Sequence, residues 1–258
     1  MRPGARSRVQ RRPVNLPSII PRMTTTISDL LAWSDAFPVP KSMEGQPRKA
    51  RFTADNLPAP AECSAEGIFA ESAVRRVSGN AISIDSASLS AGRAGYRALG
   101  LVMLSYALSE QASPLRIHLA HADEGIAQIV LWPTAASKLE REFGCSLGAR
   151  EVHYRPAIPR DDPNYSANEQ DNAGYPREHL PYCSIGAPDT PREGVTRRGE
   201  PVCLHVAGTA PSLIWLGKFL LNLALEDSSC RLAYLYNYTP AESLAPGSAE
   251  LRLVVTDS

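Results

Sequence analysis

The chain has no net charge: 27 basic residues offset 27 acidic ones over 258 positions. No general attraction to nucleic acid or to an anionic membrane follows from such a total. A cysteine framework is also missing. The five cysteines (Cys63, Cys145, Cys183, Cys203, Cys230) are odd in number, widely spaced and contain no C-x-x-C pair, which points to free thiols in a reducing cytoplasm. Long apolar runs are absent. The longest, Leu213 to Leu225, is interrupted by Lys218 and Asn222 and is shorter than the roughly 20 residues a membrane-spanning helix requires. The sequence holds no G-x-G-x-x-G, G-x-x-x-x-G-K-S/T or H-E-x-x-H. Nucleotide readings lose their main support, and no cofactor is expected.

The charge that is present is unevenly placed. Arg2, Arg6, Arg8, Arg11, Arg12 and Arg22 lie in a head without acids, so the remaining body is acidic by the same amount. A secretory signal needs an apolar core of about 7–15 residues, and Pro17 and Ser18 break the one short apolar cluster, Leu16 to Ile20. Pro3, Pro13, Pro17 and Pro21 likewise disfavour an amphipathic transit helix. The head reads as a leader, or as translation upstream of a start at Met23. A short helix is expected around Ile27 to Trp33, and 38–63, rich in Pro, Lys and Arg without periodicity, reads as an extended or disordered arm.

From Ala81 the pattern sharpens. Ile82-Ser83-Ile84 alternates as a strand does, Arg93 to Glu110 reads as a helix, Leu115 to Leu119 alternates again, and Ala127 to Trp132 is a third strand ended by Pro133. The same order returns as Val202 to Val206, Pro211 to Glu226, Leu232 to Tyr238 and Ala249 to Val255. Without gaps, Leu99-Gly100 matches Leu216-Gly217, Met103-Leu104 matches Leu220-Leu221, and Ala107-Leu108 matches Ala224-Leu225. Agreement in element order, length and the helix glycine predicts a duplication.

Both helices carry only a narrow polar stripe: Ser105 and Ser109 in the first, Lys218, Asn222 and Glu226 in the second. Each therefore needs cover beyond its own sheet, and the equivalent helix is the economical choice. The expected fold is α+β, with duplicated strand-helix-strand-strand units pairing edge to edge into a sheet of about six strands and helices on one face. The divisions read as a leader and arm at 1–63, a first unit with an extra helix (Thr134 to Phe143, stopped by Gly144) at 64–152, a long polar proline-rich connection at 153–200, and a second unit at 201–258.

Candidate chemistry is sparse. His179 and Cys183, with Cys203 and His205 on one strand face, offer ligand types that suit zinc, but their spacing matches no standard module and no metal is expected. Cys183 with His205 or His153 supplies the residue types of a thiol nucleophile and its base. His118 and His121 point to opposite faces of a strand, and Asp123-Glu124 and Asp161-Asp162 fall at turns. Tyr234, Tyr236 and Tyr238 share a strand face with Leu232, which reads as a sheet face under a helix rather than a base-stacking platform.

The segment Val202 to Asp257 resembles a small immunity-protein type of bacterial polymorphic toxin systems. The resemblance rests on Ala207-Gly208-Thr209, the apolar run Leu216 to Ala224, and Pro246 to Leu253 leading into the last strand. It implies a cytoplasmic, non-enzymatic protein that binds and neutralises a cognate toxin. Asp161, Asp162, Glu169 and Asp171 of the acidic connection are the expected partner-binding residues, placed to cover a basic cleft. The alternatives are a hydrolase with a Cys or metal site near 153–205, and a homo-oligomeric structural subunit joined through an open sheet edge. No nucleic-acid or membrane partner is expected.

Overall fold

The computed structural model describes residues 25–36, 39–42, 50–53, 57, 62–65, 67–78, 81–109, 113–119, 125–133, 151–154, 156, 180–188, 195–197, 201–228, 230–235, 244–245 and 247–256. Strand β1 (Thr25–Thr26) and helix α1 (Ile27–Ala36) are followed by β2 (Ala50–Thr53), β3 (Glu62–Ala65), β4 (Ile68–Ser78) and β5 (Ala81–Gly92). Helix α2 (Arg93–Leu108) leads to β6 (Leu115–Leu119), β7 (Ile126–Pro133), β8 (Glu151–Tyr154), β9 (Tyr182–Gly186) and β10 (Val195–Arg197). Then come β11 (Val202–Gly208), helix α3 (Ala210–Leu223), β12 (Leu232–Leu235) and β13 (Glu250–Thr256). The fold is α+β, as the sequence predicts, and both repeats are present.

The helices form where expected for identifiable reasons. In α3, the Thr209 hydroxyl accepts the Ser212 N–H at 3.4 Å and Pro211 occupies the first turn, where its missing N–H costs nothing. At the other end, the Arg93 guanidinium of α2 donates to the carbonyls of Leu223 (3.0 Å), Leu225 and Ser228 (2.7 Å). A cation thus satisfies carbonyls that the end of α3 leaves without intrahelical donors.

The helices pack on each other at a point of near-twofold symmetry. A Cβ added to Gly100 would lie 2.8 Å from the Gly217 carbonyl oxygen, and one added to Gly217 would lie 3.0 Å from that of Gly100. Leu221 sits over Gly100 and Leu104 over Gly217. These are the residue pairs that the gapless alignment equates, so the alignment describes a reciprocal contact. Leu99 and Leu216 are both 1% exposed.

The sheets are arranged differently from the expectation. Among the described residues there are three: six strands in the order β1-β3-β6-β7-β11-β9, five comprising β10, β5, β13 and β12 with β4 beside β5, and the two-stranded ribbon β2-β8. The repeats do not pair edge to edge as finished three-stranded sheets. Instead β11 of the second repeat lies parallel to β7 of the first, and β5 of the first lies parallel to β13 of the second. Each repeat also gains a preceding antiparallel strand, β4 against β5 and β9 against β11. The helices are therefore crossovers between sheets. A parallel neighbour demands a crossover, but a periodicity pattern does not say which sheet the crossover returns to.

Inward residues of both large sheets, among them Leu89, Leu253, Ile117, Ile129, Leu204 and Val206, join α2 and α3 in one core. The far side of the helices carries a second cluster, in which Phe52, Val152 and Tyr154 of the ribbon cover Leu101, Leu104, Leu108 and Leu221. The Tyr154 hydroxyl donates to Asn222 Oδ1 at 3.0 Å, which accounts for a polar residue in the middle of a buried helix. Part of the stretch read as an arm is thus packed into the body, with Phe52 and Cys63 buried. The expected helix over 134–143 lies outside the described residues.

Candidate partner-binding face

The outer face of the five-stranded sheet follows from strand register. Phe69, Ser90, Val254 and Leu232 form one row across β4, β5, β13 and β12, and Ser88, Arg252 and Tyr234 stand in the next. Ser86 and Glu250 continue the face. The inward positions between them, Ala87, Leu89, Ala91, Leu251, Leu253 and Val255, are core residues. Alternation alone produces this division, since successive side chains of a strand point to opposite sides.

Within that face Phe69 is 45% exposed and Leu232 39% exposed, the exposed large apolar side chains among the described residues. They sit at the two ends of the same row, with half-buried Ser90 and Val254 between them. Tyr234 belongs here and not under a helix: Ala233 and Leu235 face the core instead. The alternation of Leu232, Tyr234, Tyr236 and Tyr238 locates a face correctly but assigns it to the wrong side, because the inner positions of this strand carry a small residue. Tyr236 and Tyr238 lie outside the described residues.

The six-stranded sheet has a different outer face. His205 is 1% exposed; its Nδ1 accepts from Trp132 Nε1 at 2.9 Å, and its Nε2 lies 2.8 Å from the Ala187 carbonyl oxygen. A carbonyl can only accept, so Nε2 carries the proton and both ring nitrogens are engaged. Cys203 shares this face and approaches Gln128 Oε1 at 4.0 Å, while Gln128 Nε2 lies 3.2 Å from His118 Nδ1. Cys183 stands opposite Val206 in the register, and His205 stands opposite Ser184. Cys183 and His205 consequently lie on opposite sides of the sheet and cannot form a dyad. Burial pushes the Cys183 thiol up to about 12, so it keeps its proton at neutral pH and is a poor nucleophile.

His153 is on the exposed side of the ribbon, 3.1 Å from Glu151 Oε1, and Arg51 Nε donates to Glu151 Oε2 at 2.9 Å. No group of three or more His, Cys, Asp or Glu is arranged to hold a metal among the described residues. His121, Asp123, Glu124 and His179 lie outside the described residues, as do the four expected partner-binding residues Asp161, Asp162, Glu169 and Asp171. No described helix is long and apolar enough to cross a membrane. Comparison with protein-family models, with curated proteins and with solved structures finds no match.

Proposed function

We propose that this chain is a non-enzymatic binding protein, an immunity protein that binds and neutralises a cognate bacterial toxin, and that it docks through the outer face of the five-stranded sheet. The observation that carries this reading is the row ending in exposed Phe69 and Leu232 on a face otherwise made of serines, single charges, Val254 and Tyr234. Large apolar side chains held in one plane by a rigid sheet, with polar groups around them, are the composition of a protein-docking patch. The acidic residues Asp161, Asp162, Glu169 and Asp171 serve the same encounter by steering a basic partner. The free thiols of Cys63, Cys183, Cys203 and Cys230 suit a cytoplasmic setting.

The test is co-expression with the product of the adjacent gene. The pair is expected to co-purify, and growth arrest caused by the neighbour is expected to be relieved. Phe69→Asp and Leu232→Asp are each expected to weaken the complex at least tenfold, at least about 1.4 kcal/mol, without lowering the melting temperature of the free protein. Reversal of Asp161 and Asp162 to Lys is expected to slow association and flatten its salt dependence. A neighbour that neither binds nor causes arrest defeats the immunity reading. A concentration-dependent dimer abolished by Leu232→Asp would assign the same face to a second copy instead.

A further inference from the structure

We propose that Arg97 anchors a binding site for a small free oxyanion, of the size of phosphate or sulfate, beside the end of the helix pair. Arg97 projects from α2 with its side chain 9% exposed. Its guanidinium offers five N–H donors in a planar fork. Yet among the described residues it makes no hydrogen bond. Its one ion contact is Glu226 Oε1 at 3.8 Å, beyond hydrogen-bond distance.

A buried cation in that condition is incomplete, because burial removes water from donors that then need acceptors. The surroundings favour an acceptor that comes from solution. Glu226 is 61% exposed at its side chain, so its carboxylate can turn outward and leave the fork to another oxyanion. Asp35, the other nearby acid, is already paired with Lys41. The Tyr154 hydroxyl lies close enough to feel the Arg97 charge but gives its proton to Asn222. A guanidinium fork takes two oxygens of one oxyanion at once, which a single water cannot reproduce.

The experiment compares thermal unfolding of the full chain in inorganic phosphate, sulfate and chloride at matched ionic strength. Phosphate and sulfate are expected to raise the melting temperature saturably beyond chloride, as a ligand of the folded state must. Arg97→Met is expected to abolish the response. Glu226→Gln, which removes the competing carboxylate charge, is expected to tighten phosphate binding several-fold. Where Arg97→Met does not fold, Arg97→Lys keeps the charge without the fork and is expected to weaken phosphate about tenfold. Equal melting in phosphate and chloride, a phosphate response that survives in Arg97→Met, or one that is undiminished in Arg97→Lys, overturns the proposal.

Discussion

His205 shows how a residue type that suggests chemistry can be used as structure. Its two nitrogens are committed to Trp132 and to the Ala187 carbonyl, so the ring acts as a fixed acceptor and donor between β7 and the end of β9. Trp132→Phe would leave Nδ1 buried without its donor. Urea unfolding is expected to show a loss of about 1–3 kcal/mol, and a long-range proton-nitrogen NMR spectrum should show Nε2 as the protonated nitrogen in the wild type. A second residue-scale prediction concerns Glu151. The Arg51 guanidinium, and then His153, hold its carboxyl below the usual carboxylate range. A lowered folded value means that the contribution is present above about pH 4, the ordinary carboxylate range, and is lost as pH falls through the Glu151 value. Arg51→Ala should move the Glu151 titration upward in a carbon-detected NMR titration; an unmoved midpoint would remove Arg51 as the cause. The sequence reveals Cys203 and His205 as neighbours on one strand face. It cannot reveal that Cys183 faces the other way, since that depends on the register of β9 against β11.

At the scale of elements, the contact between α2 and α3 is the part most fully legible in the sequence. The glycines and leucines that align without gaps are the ones that touch. Gly100→Ala and Gly217→Ala each place a methyl against the opposing carbonyl, at 2.8 and 3.0 Å. Each is expected to cost about 1–3 kcal/mol by overpacking, despite alanine's better helix propensity. If either variant is as stable as the parent in urea, the helices do not meet as described. The strands β4 and β9 are much less visible beforehand. Strand β4 mixes Ala, Ser and Glu into its run, residues of low strand preference. Strand β9, Tyr-Cys-Ser-Ile-Gly, is buried at every position after Tyr182 and so shows no alternation. Both were paired into sheets by tertiary context, and β9 lies in what reads as a polar connection.

For the whole molecule, strand exchange makes the two repeats one cooperative unit. Neither large sheet is complete without a strand from each repeat, and the inner cluster draws on both. Leu99→Ala and Leu216→Ala, at equivalent buried positions, are each expected to destabilise by about 2–5 kcal/mol. Each should lower one shared transition instead of splitting it in two. Calorimetry that resolves separate transitions for the first and second repeats would contradict this arrangement.

The exchange also has a consequence for synthesis. Strand β5 leaves the ribosome long before its parallel neighbour β13, and at about 5–20 residues per second it waits on the order of ten seconds for Glu250–Thr256 to appear. During that interval its pairing edge is open, the circumstance in which a nascent strand sticks to other chains. The alternate positions Ser86, Ser88 and Ser90 make one side of β5 polar, and Ala87 and Ala91 keep most of the other side small. Paired at first with β4 alone, a strand so built is poorly adhesive along its open edge and gains β13 only when the chain is nearly finished, so the seven residues of β13 act as the clasp that joins the two repeats.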